Sequence, residues 1–209
     1  MRGIIKVINR EIPYAFSRWG DGEVFCMEGK KGKNCDGHDY FTGLRRSLLN
    51  VMQDQNLDQD YDMGIGKLVE GNPFFKNYNN INWSNGRLFV DAYESNMLPF
   101  LFNCLNDSSW NVIYVGSNDS DLMAESVIID EHIAVPRLNS WLVYDEIYGK
   151  LQNKRESIIL FSSGMTSKVL IHNLWKENKS NIYLDMGSVL DPYCGRITRS
   201  YQTNEQQNK

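Results

Sequence analysis

Two carboxylates, Asp21 and Glu23, flank a single glycine in the run Arg18-Trp19-Gly20-Asp21-Gly22-Glu23. Acids at that spacing in a turn can converge on one divalent cation, because Gly22 adds no side chain and tolerates positive φ. Hard oxygen ligands suit Mg2+ or Mn2+, ions commonly bound together with substrate phosphates. Gly-Asp-Gly is also ordinary turn composition, but a cation and an aromatic beside two acids exceed what a turn requires. Far along the chain, Ser162-Ser163-Gly164-Met165-Thr166-Ser167 has the character of a strand-to-helix junction. Free backbone N–H groups and the helix dipole favour an anion at such a place. No Gly-Lys-Ser/Thr follows, so it is not a P-loop, and it lacks the three spaced glycines of the dinucleotide fingerprint. Asp185-Met186-Gly187-Ser188 and Asp191-Pro192-Tyr193 precede Arg196 and Arg199. Two arginines there suit a diphosphate by charge and fork geometry.

Histidine contributes less. His38 lies in a polar loop, His132 leads into a strand and His172 falls inside a helical pattern. No Ser-His-Asp, Cys-His or G-x-S-x-G arrangement stands out, which disfavours nucleophilic hydrolase chemistry.

The elements that must position these residues follow from periodicity. Ile4 to Asn9 reads as a helix, Tyr14 to Arg18 as a first strand, and Trp19 to Glu23 as a tight turn. Val24 to Met27 suits either a helix or a strand, and Glu28 to Asp39 is a Gly/Lys-rich loop. Phe41 to Gln53 carries Leu44, Leu48, Leu49 and Met52 at helical spacing. Met63 to Ile65 is a short strand, Asn77 to Gly86 a surface loop, Arg87 to Val90 a strand and Asn96 to Leu105 a helix. Strands then alternate with helices: Val112 to Val115, a short helix over Asp119 to Ser126, Ile133 to Val135, a helix over Trp141 to Leu151, Ile158 to Phe161, a helix over Met165 to Glu177, and Ile182 to Leu184. That alternation predicts parallel βαβ units in an α/β, Rossmann-like, doubly wound and mostly parallel sheet flanked by helices. One domain is expected over residues 1–202, with a polar, disordered tail over 203–209. Ligands of such sheets sit beyond the carboxyl ends of the strands, where all the candidate residues fall.

Composition narrows the classes. The chain has 209 residues, 42% of them hydrophobic and 23% charged, with a net charge of −4. A core of that size buries roughly 70% of the unfolded surface without staples. The acidic balance argues against nucleic acid as a partner. Four scattered cysteines, Cys26, Cys35, Cys104 and Cys194, form no zinc or disulfide pattern and point to reduced thiols in a cytoplasmic protein. No apolar run approaches the roughly 18 residues of a membrane span, and Met1 to Arg10 lacks the apolar core of a signal peptide. Peripheral membrane contact remains open.

The run from Phe16 to Glu23 resembles the Arg-aromatic-Gly-Asp-Gly-Glu signature of the GT-D-type glycosyltransferases, once grouped only as a domain of unknown function. Ser163 to Leu170 is similar to that family's Gly-Pro-Thr-Ala-type strand-to-helix turn, with Met165 in place of the usual proline. Leu184 to Ser188 is similar to its Asp-x-Gly strand end. The order and spacing of the three motifs cover most of the chain. The ending from Asp191 through Arg196 to Tyr201 departs from the better-known bacterial members.

The resemblance implies a Rossmann-like transferase moving a hexose from a nucleotide sugar, such as a UDP-hexose, to a glycan, glycoprotein or other hydroxyl acceptor, with a metal such as Mn2+. It implies that Asp21 and Glu23 form the metal and diphosphate element. Around it the expected donor site comprises Arg18, Trp19, Gly20, Gly22, the turn residues Ser162, Ser163, Gly164, Thr166 and Ser167, and Arg196 and Arg199. Arg18, or Arg196 and Arg199, would offset charge on the leaving group, and, if the reaction inverts the anomeric centre, Asp191 or Asp185 would take the acceptor's proton. Two other classes stay open: a Rossmann-like methyl or phosphoryl transferase using a nucleotide, and a non-catalytic nucleotide- or glycan-binding module.

Overall fold

The computed structural model describes residues 1–54, 58–66, 71–78, 81, 83–117 and 126–203. Among them seven strands form one sheet: β1 (Tyr14–Trp19), β2 (Tyr61–Ile65), β3 (Trp83–Asn85), β4 (Asn111–Ser117), β5 (Glu131–Val135), β6 (Ser157–Phe161) and β7 (Ile182–Asp185). The order is β3-β2-β1-β7-β6-β4-β5, and every neighbouring pair is parallel. The first half winds from β1 outward to β3. The second starts at β4, reaches the edge at β5 and returns through β6 to lay β7 beside β1. The two windings therefore meet at β1 and β7.

Side-chain alternation along the strands sorts the core into two faces. On β6, Ile159 and Phe161 join one buried cluster while Ile158 and Leu160 join the other. On β7, Tyr183 belongs to the first, and Ile182 and Leu184 to the second. The first cluster is closed by α2 (Asp21–Met27), α3 (Thr42–Gln53), α7 (Tyr144–Leu151) and α8 (Thr166–Glu177). The second is closed by α1 (Arg2–Asn9), α5 (Leu88–Glu94) and α6 (Leu98–Asn106). A short helix α4 (Pro73–Lys76) precedes β3. Strands buried on both faces explain the continuous apolar runs that mark β4 and β6 in the sequence.

Several local expectations are corrected. Asp21-Gly22-Glu23 is not a tight turn but the first turn of α2, so Gly22 is helical and needs no positive φ. The expected strand over Arg87 to Val90 is helix α5, because Phe89, Val90, Ala92 and Tyr93 bury one face at helical spacing. The strand in that region is β3, inside the expected loop, and its three residues are too few to show a period. The helix expected over Trp141 to Leu151 divides into a 3-10 turn, Ser140–Val143, and α7. The helix expected over Asp119 to Ser126 lies outside the described residues apart from Ser126, and so does the tail beyond Thr203. No helix among the described residues is long and apolar enough to cross a membrane. Cys26, Cys104 and Cys194 are buried free thiols and Cys35 is an exposed one.

Helix α8 carries His172 into a buried contact with the residue that ends α3, where Nε2 lies 3.2 Å from Asp54 Oδ2. Burial pulls the His172 pKa from its ordinary 6.5 down to about 4, outweighing the Asp54 carboxylate. A histidine depressed in the folded state takes up its proton on unfolding, so its contribution is complete above pH 6.5 and is lost as pH falls toward 4. Urea denaturation should show stability dropping by about 2–3 kcal/mol over that window. His172→Gln should flatten the drop, and an unchanged slope would refute this account.

Candidate functional site

A cleft of about 990 Å³ opens along the carboxyl edge of the sheet, where open α/β folds bind ligands. Strand parity decides what faces it. Ala15 and Trp19 belong to the cluster under α8, whereas Phe16 belongs to the opposite one, so Arg18 emerges where Trp19 turns inward. The Trp19 indole is fully buried and donates from Nε1 to Ser17 Oγ at 3.0 Å. Only the backbone region of Trp19 is placed for ligand contact. The Arg18 guanidinium, by contrast, has no acidic partner among the described residues. It packs over Gly187, where an added Cβ would lie 2.5 Å from Nη2 and the backbone φ is +58°. Glycine at 187 is therefore required both by conformation and by the space that Arg18 fills.

Helix α2 begins directly beyond β1. Gly20 N–H donates to Glu23 Oε2 at 2.9 Å, tying the carboxylate of the first helical turn back to the residue before the helix. Glu23 is buried, while Asp21 is exposed and accepts from Gly22 N–H at 2.9 Å. Both acids line the cleft with Arg18, Gly20 and Gly22. Among the described residues no three His, Cys, Asp or Glu side chains converge as a ready cation cage. A Mg2+- or Mn2+-type site needs only one or two carboxylates when phosphates and water complete the shell. Asp21, exposed at the start of the helix, fits that pattern. Glu23 fits it less well, since both its oxygens are engaged.

The second engagement of Glu23 is with Lys168, near the start of α8. Lys168 Nζ lies 3.1 Å from Glu23 Oε1 and 2.9 Å from Asp185 Oδ2, and it donates to Gly164 O at 3.1 Å. Asp185 also accepts from Arg18 N–H at 3.1 Å. Burial lowers the Lys168 pKa, but Asp185 and Glu23 outweigh it and hold the ammonium above the ordinary lysine value. Asp185 has no exposed surface, and its Oδ1 has no partner among the described residues. It lies behind Lys168 and does not line the cleft, so in this arrangement it cannot reach an acceptor hydroxyl.

The β6–α8 turn presents Ser162, Ser163 and Gly164 to the cleft. Thr166 and Ser167 turn away: Ser140 Oγ donates to Thr166 Oγ1, and Ser167 Oγ bonds Ser163 Oγ at 2.9 Å. Asp191, in the 3-10 segment Gly187–Cys194 after β7, lines the cleft with Oδ1 3.1 Å from Arg196 Nη2 and Oδ2 accepting from Thr198. Arg196 also reaches Ser117, and Arg199 pairs with Asp36. Both arginines sit at the cleft, but each is already matched with an acid.

No family model and no curated protein sequence matches the chain. Solved structures do match. A DUF1792 protein from Streptococcus sanguinis, described as a new glycosyltransferase, superposes with a TM-score of 0.68 at 17% identity, covering 90% of this chain and 80% of its own. A second structure of domain of unknown function 1792, described as having a distinct glycosyltransferase fold, gives 0.60 at 18% identity over 88% and 76%. A third, a selenomethionine form of the same domain, gives 0.64 at 19% identity over the same shares. The chain has the DUF1792 fold.

On that fold, sequence reasoning assembled Arg18, Asp21, Glu23, the β6–α8 turn, Asp191, Arg196 and Arg199 around one cleft. The sequence marks Lys168 only as a lysine among the apolar positions of α8, and His38 only as a loop histidine, yet both line the cleft. Removing the Lys168 charge leaves two buried carboxylates uncompensated. Lys168→Met should cost about 3–5 kcal/mol in urea denaturation. Adding Glu23→Gln and Asp185→Asn should recover part of it, and a single substitution without measurable cost would overturn this electrostatic account.

Proposed function

We propose that the chain is a metal-dependent glycosyltransferase that takes a hexose from a nucleotide sugar, with a UDP-hexose as the preferred donor, and passes it to a hydroxyl of a glycan, glycoprotein or related acceptor. The observation that carries the proposal is the uncompensated Arg18 guanidinium, which lines one cleft with the exposed Asp21 and the β6–α8 turn at the strand ends of a fold of which two solved examples are described in glycosyltransferase terms.

Chemical roles follow from position. Arg18 places positive charge where a diphosphate leaving group gains negative charge as the glycosidic bond breaks. The backbone N–H groups of Ser162 and Ser163 are taken by Val115 O and Ser167 Oγ, so those from Gly164 into the first turn of α8 orient the same anion. Asp21 would hold the divalent cation, Mn2+ or Mg2+, with Glu23 orienting the α2 terminus through Gly20. Such an ion supplies Lewis-acid neutralisation of the diphosphate. Asp191 is assigned as the carboxylate that accepts the acceptor's proton, because it lines the cleft, whereas Asp185 is enclosed; Arg196 and Thr198 orient Asp191.

The test is UDP release from a panel of UDP-hexoses with and without Mn2+. The wild type should release UDP in a metal-dependent way. Arg18→Met should lower turnover by about 100-fold, the scale of losing one preorganised charge-stabilising donor. Asp21→Asn should abolish the metal response. Unaltered activity in both variants would sink the assignment, and tighter binding of S-adenosylmethionine or ATP than of UDP would move it to another transferase class.

A further inference from the structure

His38 is held differently from an ordinary loop histidine. Its segment folds back on itself through Asn34, whose Oδ1 accepts from both Asp36 N–H and His38 N–H, and whose N–H donates to His38 O. The ring is fixed by a residue 101 positions away. Asn139, between β5 and the following 3-10 turn, donates its backbone N–H to His38 Nδ1 at 2.9 Å. Asn139 adopts a left-handed backbone, φ 59°, and its side chain grips the next residue twice: Asp39 N–H donates to Oδ1 at 2.8 Å, and Nδ2 donates to Asp39 Oδ2 at 2.7 Å.

A backbone N–H can only donate, so His38 Nδ1 must accept. The neutral ring then carries its hydrogen on Nε2. Burial lowers the His38 pKa, against the raising effect of Asp36, Glu23 and Asp39 and together with the lowering effect of Lys168, which favours that neutral form. Nε2 has no protein partner among the described residues. It stands over the β6–α8 turn, 3.3 Å from where a Cβ on Gly164 would lie, and Gly164 has φ +63°. A bare turn at the start of α8 and an unused N–H above it thus face each other across a gap that any side chain at 164 would narrow.

We propose that His38 is a fixed, neutral hydrogen-bond donor whose Nε2–H binds a phosphoryl oxygen of the ligand seated on the β6–α8 turn. The inference rests on the nucleotide-sugar reading of the cleft. A phosphoryl oxygen is the matching acceptor because the positive end of the α8 dipole lies on the same side and the Arg18 guanidinium lines the same cleft. His38 in this state has no free lone pair toward the ligand, so it is a binding and positioning residue and not a base.

Calorimetry with UDP and with uridine, both in Mn2+, separates the outcomes. His38→Asn keeps an acceptor near the Nδ1 position but removes the distal donor, and should weaken UDP by about 10-fold or more, the scale of a hydrogen bond to a charged group, while leaving uridine unchanged. His38→Gln, which restores an N–H at the distal position, should recover part of the loss. Wild-type affinity for UDP in His38→Asn, or equal loss for UDP and uridine, would overturn the proposal. In the wild type, 15N NMR should show the Nε2–H tautomer and a shift of that nitrogen on adding UDP. The opposite tautomer, or no shift while UDP binds, would overturn it without any variant. A wild type that binds uridine nucleotides not at all overturns the proposed function and this inference with it.

Discussion

Lys168 is where the sheet, two helices and the cleft are tied together. Its ammonium sits between a carboxylate at the start of α2 and one at the end of β7, and it closes on a carbonyl of the β6–α8 turn. Asp185 in turn holds the backbone of Arg18 on β1. The central strands β1 and β7, the first turn of α2 and the start of α8 are therefore fixed by one buried cation and its two counter-charges. Such a group is costly to desolvate and is tolerated only when fully matched. Matching it requires these four segments to be in register, so the network specifies geometry as much as it adds stability. The cleft lies at the outer surface of this arrangement: Arg18 and Asp21, which line it, belong to segments that Lys168 holds.

Strand parity does the remaining sorting. Arg18 and Trp19 are adjacent in sequence and opposite in fate, one facing ligand space and one sealed under α8. The same alternation sends Asp185 to the Tyr183 side of β7, where α8 supplies its partner. An arginine, an aromatic and an acid that look equally available in a linear string are divided between cleft and core by a period of two.

Much of this was legible beforehand. Long apolar runs such as Ser157 to Phe161 and the strong helical period of α3 and α8 fixed the α/β alternation, and glycine- and serine-rich strand ends marked the carboxyl edge. Short elements were not legible. Three residues of β3 show no period, and the Leu88–Glu94 helix follows it so closely that its apolar residues read as a strand. Helical residence of Asp21-Gly22-Glu23 was hidden because Gly-Asp-Gly is turn-like in composition, and the cap that Glu23 supplies is visible only once Gly20 is seen to precede a helix. Lys168 and His38 acquire meaning from partners 17 to 145 positions away, Asp185 and Glu23 for the first and Asn139 for the second, and such pairings leave no trace in a local pattern.

The clamp at Asn139 has a consequence for how this protein can be remodelled. The loop before α3 and the connector after β5 are about a hundred positions apart, yet one asparagine in a left-handed conformation fastens them by three hydrogen bonds. They are one module in space and two in the gene. A chimera that imports a new 28–40 loop to alter the mouth of the cleft keeps this clamp only if the imported residues at 38 and 39 still match the asparagine at 139.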